Sequence, residues 1–425
     1  MVKKSHKETL EPTYKAYKVM LEPNKWQRTR LFQFAGSARF AYNWALNKEM
    51  TAFENDEKFI SNEDLRKEFT VLRNSDEYSW LKKISNNVTK QAIIDCGNAY
   101  DKFFKKQKST KIKFTKKKLE HFARIGKTPT VYDMNGHPKF KSKRNGDFNF
   151  YHDTEKIKIT STHVKLEAIA ASKRKNRQKL NWIRLAEIGR IPVGVKYKNP
   201  RVSFDGLNWW LSVAVEFKPE KSVENFTETL GIDLGIKELA VLSDGTFYAN
   251  INKTDTIRKL KKRQRRLQRS ISRKYEMNKK EGEDYCKTCN IVKSEKLLLK
   301  IHHRLANIRQ NYRHQITTEI IARKPRAIVM ENLNVGAMMK NKHLSKAIQE
   351  QGWYNFRKLI EYKAEWAGIK LIFADRFYPS SKTCICCGRI KKDLKLSERI
   401  YRCECGNIID RDLQAAINLG RYCEK

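Results

Sequence analysis

Two short cysteine clusters constrain this chain more tightly than any other feature. Cys384-Ile385-Cys386-Cys387-Gly388 and Cys403-Glu404-Cys405-Gly406 each end in glycine, and fifteen residues separate Cys387 from Cys403. Tight turns of this kind let backbone N–H groups approach thiolates, and four thiolates can close a tetrahedral structural Zn²⁺ site. A disulfide framework fits less well, because the nine cysteines are odd in number and six lie between Cys384 and Cys423. Cys384, Cys387, Cys403 and Cys405 are the expected ligands of one structural zinc. The second pair is one residue shorter than a CxxC, so Cys386 could stand in for Cys387. A closed site is structural, and no chemistry is assigned to its metal. Cys286-Lys287-Thr288-Cys289 is a lone CxxC that His302 or His303 could complete. With no second pair at hand, incidental cysteines are the simpler reading. Cys96 reads as a small core residue and Cys423 as a free thiol.

Charge sets the partner. Among 425 residues, Lys and Arg number 89 against 47 Asp and Glu, a net charge of +42. Self-repulsion on that scale disfavours a compact state unless a polyanion neutralises it, and a phosphate backbone is the obvious one. No apolar run is long enough to span a bilayer. Met1-Val2-Lys3-Lys4-Ser5-His6 lacks the apolar stretch of a signal peptide, so the expected location is the cytosol, where thiols stay reduced.

The pattern along the chain is multidomain α/β. Residues 13 to 23 alternate as a strand through Tyr17, Val19 and Leu21, and Pro23-Asn24 ends it. Asn24 and Gln27 form a capping box for a helix burying Leu31, Phe34, Ala38, Tyr42 and Ala45. A second helix runs from about Ser85 to Lys106, with Ala92, Cys96, Tyr100 and Phe103 on one face. Between Lys105 and Lys118 stand eight lysines and no acid, flanked or interleaved by Phe103, Phe104 and Phe114. That run, and Pro138 to Arg144, read as phosphate-contacting segments or as solvated faces. The candidate contacts there are Lys105, Lys106, Lys108, Lys139, Lys141, Lys143 and Arg144.

Residues 156 to 218 are β-rich: Ile157, Ile159, Val164 and Leu166 alternate, then Leu211, Val213, Val215 and Phe217 follow the Asp205-Gly206 turn. This module reads as a small barrel that the strand at 13 to 23 completes, with a linker around Glu220 to Glu228. From Leu230 the pattern mixes strands and helices, with a second hairpin turn at Asp244-Gly245. Two long helices follow. Ile257, Leu260, Leu267 and Ile271 seam the first, from Thr254 to Lys274. Leu298, Ile301, Leu305, Ile308, Tyr312, Ile316 and Ile320 seam the second. An antiparallel hairpin with a basic outer face is expected, with Lys262 and Arg266 as candidate nucleic-acid contacts.

Three carboxylates stand in unusual surroundings. Leu230-Gly231-Ile232-Asp233-Leu234-Gly235-Ile236 buries an acid in an apolar strand, and its glycines permit close approach of another backbone or a ligand. Ala327-Ile328-Val329-Met330 is an apolar strand that ends in Glu331, and ligand-binding acids often sit at such edges. Asp410-Arg411-Asp412 opens a helix, where Asp410 also suits a plain N-cap. Three acids from separate segments could hold a divalent metal pair, the arrangement phosphodiester cleavage needs.

Four ordered motifs then resemble a known family. Gly231-Ile232-Asp233-Leu234-Gly235, Val329-Met330-Glu331-Asn332-Leu333, Phe377-Tyr378-Pro379-Ser380-Ser381-Lys382-Thr383-Cys384, and Asp410-Arg411-Asp412 through Asn418 are similar to those of the TnpB proteins of insertion sequences, relatives of the compact type V CRISPR nucleases. The resemblance implies an RNase H-like, RuvC-type nuclease domain with a helical hairpin and a zinc ribbon, and a wedge-type β-barrel interrupted by recognition helices. The implied divisions are residues 1–24 (first barrel strand), 25–130 (helical insertion), 131–222 (rest of the barrel) and 229–425 (nuclease, with hairpin 253–324 and ribbon 377–409).

The resemblance also implies RNA-guided cleavage of double-stranded DNA beside a short flanking motif, in a bacterial or archaeal cytosol at the nucleoid, with a guide RNA as partner. Asp233, Glu331 and Asp412 would hold Mg²⁺ or Mn²⁺, Asp412 being preferred over Asp410 by its place before the family's Asn-Ala-Ala. This chain departs there, with Gln414 in place of Asn. The competing expectations are a nuclease-silent, RNA-guided regulator of transposition, a compact CRISPR effector, and a transposase that works without RNA.

Overall fold

The structure, a computed structural model, describes residues 13–55, 57–109, 114–130, 133–134, 136–167, 179–217, 228–279, 287–395 and 398–424, with the backbone alone at 106–109 and 423–424. The N-terminal hexapeptide, the linker up to residue 227, Cys286 and the side chains of Lys106, Lys108 and Cys423 lie outside the described residues. The chain forms two compact units, Met1–Phe217 and Lys218–Lys425.

In the first unit, β1 (Thr13–Glu22) lies inside a seven-stranded sheet with β2 (Asn149–Tyr151), β3 (Lys158–Ile159), β4 (His163–Lys165), β5 (Trp182–Leu185), β6 (Tyr197–Phe204) and β7 (Trp209–Phe217). The order is β2-β6-β7-β1-β5-β4-β3, and every ladder is antiparallel. β1 therefore joins strands some two hundred residues away, its register running Thr13 against Phe217 to Leu21 against Trp209. The β6–β7 turn places Gly206 at φ +93°, the left-handed region that glycine enters without strain.

Asn24 caps α1 (Lys25–Glu54): its Oδ1 accepts from the Gln27 backbone N–H at 2.8 Å, and its own N–H donates to Gln27 Oε1 at 2.9 Å. Such a cap contributes about 1 kcal/mol. Gln27 also donates to the Leu180 and Trp182 carbonyls, both at 2.9 Å, so the box anchors the helix to the sheet. Leu31, Phe34, Ala38, Tyr42 and Ala45 are buried, as their spacing predicts. Next come α2 (Asn62–Asn74), α3 (Asn86–Ser109) and α4 (Lys116–Arg124). Ala92, Cys96, Tyr100 and Phe103 face the same core from α3. A bidentate pair from Arg201 to Asp95, at 2.7 and 2.9 Å, ties α3 to β6.

One charge in this core is out of place. Glu49 of α1 is 3% exposed. Its Oε2 accepts from the Ile60 N–H at 3.3 Å, and Oε1 has no hydrogen-bond partner among the described residues. Burial pushes its carboxyl up to about 7. In the unfolded chain the group titrates near 4.5, so between about 4.5 and 7 the folded protein keeps a proton that the unfolded chain releases. Stability should fall as pH rises through that window and level off above it. Glu49→Gln is expected to remove the dependence and to stabilise the protein at pH 8 by about 1–3 kcal/mol. Urea midpoints of both proteins at pH 5 and pH 8 check this; an equal loss in both would refute it.

The second unit is built on a five-stranded sheet of order β10-β9-β8-β11-β12. Its strands are β8 (Leu230–Leu234), β9 (Glu238–Leu242), β10 (Phe247–Ala249), β11 (Ala327–Glu331) and β12 (Lys370–Ala374). β8, β11 and β12 are parallel, while β9 and β10 fold back as antiparallel hairpins. Between β10 and β11 stand α5 (Asp255–Met277) and α6 (Cys289–Ala322). They run antiparallel: Gln264 meets His302, Lys274 meets Ser294, and Tyr275 meets Glu295. Ile257, Leu260, Ile301 and Leu305 are the buried seam of the hairpin. α7 (Val335–Met338), α8 (Ser345–Gln351) and α9 (Trp353–Trp366) lead to β12. The chain closes with the hairpin β13 (Ile400–Arg402) and β14 (Ile408–Asp410), then α10 (Arg411–Gly420). No helix among the described residues is long and apolar enough to cross a membrane.

Candidate active site and zinc centre

The parallel ladder of β8 and β11 sets the carboxylates. Val329 pairs with Gly231 and Met330 with Ile232, so the next step brings Glu331 level with Asp233 on the neighbouring strand. Side chains two apart share a sheet face. Asp233 therefore projects on the side of Gly231, and Glu331 on that of Val329, which packs against Leu419 of α10. That face is the one α10 covers.

Gly231 makes the covering possible. A Cβ there would stand 2.0 Å from the Ala416 carbonyl oxygen and 2.3 Å from the Gly420 nitrogen, both backbone atoms that cannot swing aside. With the C-terminal end of α10 held on Gly231, its first turn, which carries Asp412, lies toward Asp233. Gly231→Ala should push the helix off the strand, costing about 1–3 kcal/mol of stability and most of any activity that needs Asp412. Gly36, inside α1, has open space at the same position; Gly36→Ala should instead stabilise by up to about 1 kcal/mol. Urea melts of the two variants side by side test the contrast.

Loss of water around Asp233 pushes its carboxyl well above the ordinary range, and the charges of Glu331 and Asp412 push it further. Burial also raises Asp412, helped by Asp410 and opposed by Arg399, Arg411 and Lys237. Arg399 approaches Asp412 at 3.8 Å. Asp410 has the other role: its Oδ1 accepts from the N–H groups of Asp412 at 2.9 Å and Leu413 at 3.1 Å, as an N-cap does. Glu331 Oε1 accepts from Ser380 Oγ at 2.6 Å. The raised proton affinities of Asp233 and Asp412 mark carboxylates that a hard divalent cation would stabilise in the charged form.

Several partners here have no readable signal in the sequence. Gln351 Nε2 donates to the carbonyls of Gly235, Ile236 and Glu238 at 3.2–3.4 Å, and Trp353 Nε1 to that of Gly235 at 3.3 Å. They clamp the turn that follows Asp233. Ser380 stands in the Phe377 to Cys384 motif, but nothing in its spacing announces a hydroxyl on Glu331.

The four cysteines expected to bind zinc come together: the Sγ atoms of Cys384, Cys387, Cys403 and Cys405 all lie within 4.8 Å of one another. Cys384 and Cys405 are 3.6 Å apart, as are Cys387 and Cys403. Tetrahedral Zn–S bonds of about 2.3 Å require sulfurs about 3.8 Å apart, so the quartet fits the ion. Cys386 is exposed and outside the quartet. Gly388 at φ +74° and Gly406 at φ +91° make the turns. Burial raises the Cys384 thiol, but the N–H groups of Cys387 and Cys386, then Asn407 and Cys405, outweigh it and hold it at about 6, toward the thiolate. The shortened second pair still closes the site. Cys289 is exposed.

Asn407 links this centre to α10. Its Nδ2 lies 3.4 Å from Cys384 Sγ and 3.0 Å from Gln414 Oε1. Asn418 Nδ2 donates to the carbonyls of Ser380 and Thr383, both at 2.7 Å.

Of the candidate nucleic-acid contacts, Lys105, Lys139, Lys143, Arg144, Lys262 and Arg266 are exposed. Lys141 differs: its ammonium sits 3.7 Å over the Tyr42 ring, and burial lowers its proton affinity against the charges of Asp95 and Asp147. Lys262 and Arg266 line a basic hollow on α5 with Arg258, Lys261 and Arg265.

Comparison with known proteins places the chain among relatives. Residues 13–58 match a family described as a helix-turn-helix domain, 212–342 one described as "Probable transposase", and 353–419 one described as "Cas12f1-like, TNB domain". Residues 13–54 fold as β1 and one unbroken helix, α1. The chain is 27% identical to "Putative RNA-guided DNA endonuclease InsQ" of Escherichia coli over 404 residues, 92% of this chain and 87% of that protein. It is 28% identical to a "TnpB-like protein" of Methanocaldococcus jannaschii over 217 residues, 49% of this chain and 73% of that one. A solved chain of a Cas12f1–sgRNA–target DNA complex aligns over 96% of this chain and 99% of its own, with a TM-score of 0.48 and 14% identity.

Proposed function

The chain belongs to the TnpB family, and on that premise we propose that it is an RNA-guided DNA endonuclease. The observation that carries the reading is the register that sets Asp233 level with Glu331 on adjacent strands, on the face covered by α10, the helix whose first turn bears Asp412. In this reading the three carboxylates are metal ligands and the second unit is the nuclease. A strand order of β10-β9-β8-β11-β12, with the first hairpin antiparallel and the last two strands parallel, supports reading its sheet as RNase H-like. The first unit, a sheet interrupted by helices, is read as the wedge-type module that grips guide and target. Its exposed lysines, with Lys262 and Arg266, supply phosphate contacts that are indifferent to sequence.

A bound Mg²⁺ or Mn²⁺ pair would supply an activated water and charge stabilisation at the leaving oxygen. The protein's own share is positioning. Asp233 and Glu331 present oxygens from adjacent strands, Ser380 fixes the Glu331 carboxylate, and Asp410 caps the turn that carries Asp412. Pairing between guide and target reads sequence, while the protein reads the backbone and a short flanking motif. The proposed setting is the cytosol at the nucleoid.

The test is to purify the protein from its host, sequence the RNA that accompanies it, and offer the complex a matching duplex with Mg²⁺. Cleavage of the matched duplex alone is expected. A complex that binds its target and never cuts it would leave a silent regulator. Cleavage without any bound RNA would leave a transposase.

A further inference from the structure

Phe377 is the most exposed aromatic side chain among the described residues, at 85%. A free phenyl ring in water forgoes a large apolar gain, so the surroundings of this one are informative. Its loop is pinned on both sides. The Asp375 N–H donates to the Tyr422 hydroxyl at 3.1 Å, and Asp375 Oδ1 accepts from the Phe377 N–H at 2.8 Å. Tyr378 packs edge-on against Tyr422, with ring centroids 4.9 Å apart, and its hydroxyl donates to the Asn418 carbonyl at 3.2 Å. Ser380 is fixed on Glu331. Between these anchors only Arg376 and Phe377 stand exposed, the guanidinium 5.7 Å from the ring centroid.

The place is as telling as the exposure. Ala374, three residues before Phe377, is the register partner of Glu331. Ser380, three residues after it, holds the Glu331 carboxylate. Three residues span at most about 11 Å, which bounds how far the Phe377 backbone stands from Ala374 and from Ser380. A held aromatic ring beside a cation is what binds an unpaired nucleobase and its phosphate. A protein-docking patch would be a contiguous apolar area, whereas here a cation and an acid flank a single ring.

We propose that Phe377 stacks on an unpaired base of the DNA strand being cut, while Arg376 contacts the adjoining phosphate. The proposal rests on the endonuclease reading and adds a substrate-positioning residue to it. Stacking of this kind corresponds to about a ten-fold effect or more per base.

The test uses the full-length protein with its copurified RNA and a matching duplex. 2-Aminopurine replaces bases one at a time around the mapped cut, with Ca²⁺ replacing Mg²⁺ so that bound target stays whole. Phe377→Ala should raise emission at one position, where wild type quenches it, and in Mg²⁺ should slow single-turnover cleavage about ten-fold at unchanged target binding. Phe377→Trp should restore both, and thermal midpoints should not move. Unchanged emission at every position with wild-type cleavage by Phe377→Ala overturns the proposal, and is the result a protein-docking ring would give. A wild-type complex that binds target and never cuts sinks the endonuclease reading instead, and the emission comparison still decides the stacking.

Discussion

Asp233→Asn is expected to lower Mg²⁺-dependent cleavage of matched DNA by about a thousand-fold, the equivalent of about 4 kcal/mol of lost charge stabilisation. Guide-RNA binding should be unchanged, because the substitution removes one oxygen charge from a strand end and no exposed cation. Thermal stability should not fall. The wild-type carboxyl is short of water and faces the charges of Glu331 and Asp412, so a neutral side chain of the same shape relieves crowding. Glu331→Gln should give a comparable loss, and the double variant should be little slower than either single one, since ligands of one metal site act as a unit. Single-turnover cleavage of the three variants, beside their melting curves, decides the matter. Normal cleavage by Asp233→Asn would end the nuclease assignment for this site.

What the sequence makes legible is what short-range physics dictates. The capping box at Asn24 and Gln27, the turns at Gly206 and Gly245, and the helical seams are local patterns, and the structure carries each of them. A charge at the end of an apolar strand is also local, which is why Asp233 and Glu331 stand out. Their proximity is not local. It depends on a parallel ladder between segments about a hundred residues apart, and on a backbone contact at Gly231 that no spacing rule announces. β12 is hidden for a similar reason: Lys370–Ala374 is five residues long and only partly buried, so its alternation is weak. Lys141 shows a distinction that pattern alone does not carry. In a run of basic residues it looks like its neighbours, yet its ammonium packs on Tyr42 inside the first unit. The short second cysteine pair weakens a spacing rule, but closure depends on turn geometry, and the left-handed residue at Gly406 supplies it.

The four-cysteine cluster, which could hold a zinc ion, should matter to the carboxylates by supporting the elements that carry them. The connections between the two run through α10 and its neighbours. Asn407 lies against Cys384 Sγ and Gln414, two residues from Asp412, and β14 leads from the second knuckle directly into Asp410. Ser380, which fixes Glu331, is held by Asn418 of the same helix. Replacing Cys384 and Cys387 together with serine should reduce zinc from about one ion per chain to none and unfold the knuckles, because binding free energy at such a site is folding free energy. Asp412 then loses its support from the ribbon. Cleavage should fall by about a hundred-fold or more, while the core of the first unit, which shares no residue with the ribbon, keeps its own unfolding transition. Cys386→Ser is the control and should retain both zinc and activity, its thiol being exposed and outside the quartet. Zinc content by atomic absorption, limited proteolysis of residues 377–420 and single-turnover cleavage together give the answer. A double variant that kept full zinc and a protected ribbon would refute the four-thiolate centre. One that lost zinc but cut normally would show that α10 holds Asp412 through its packing on Gly231 alone.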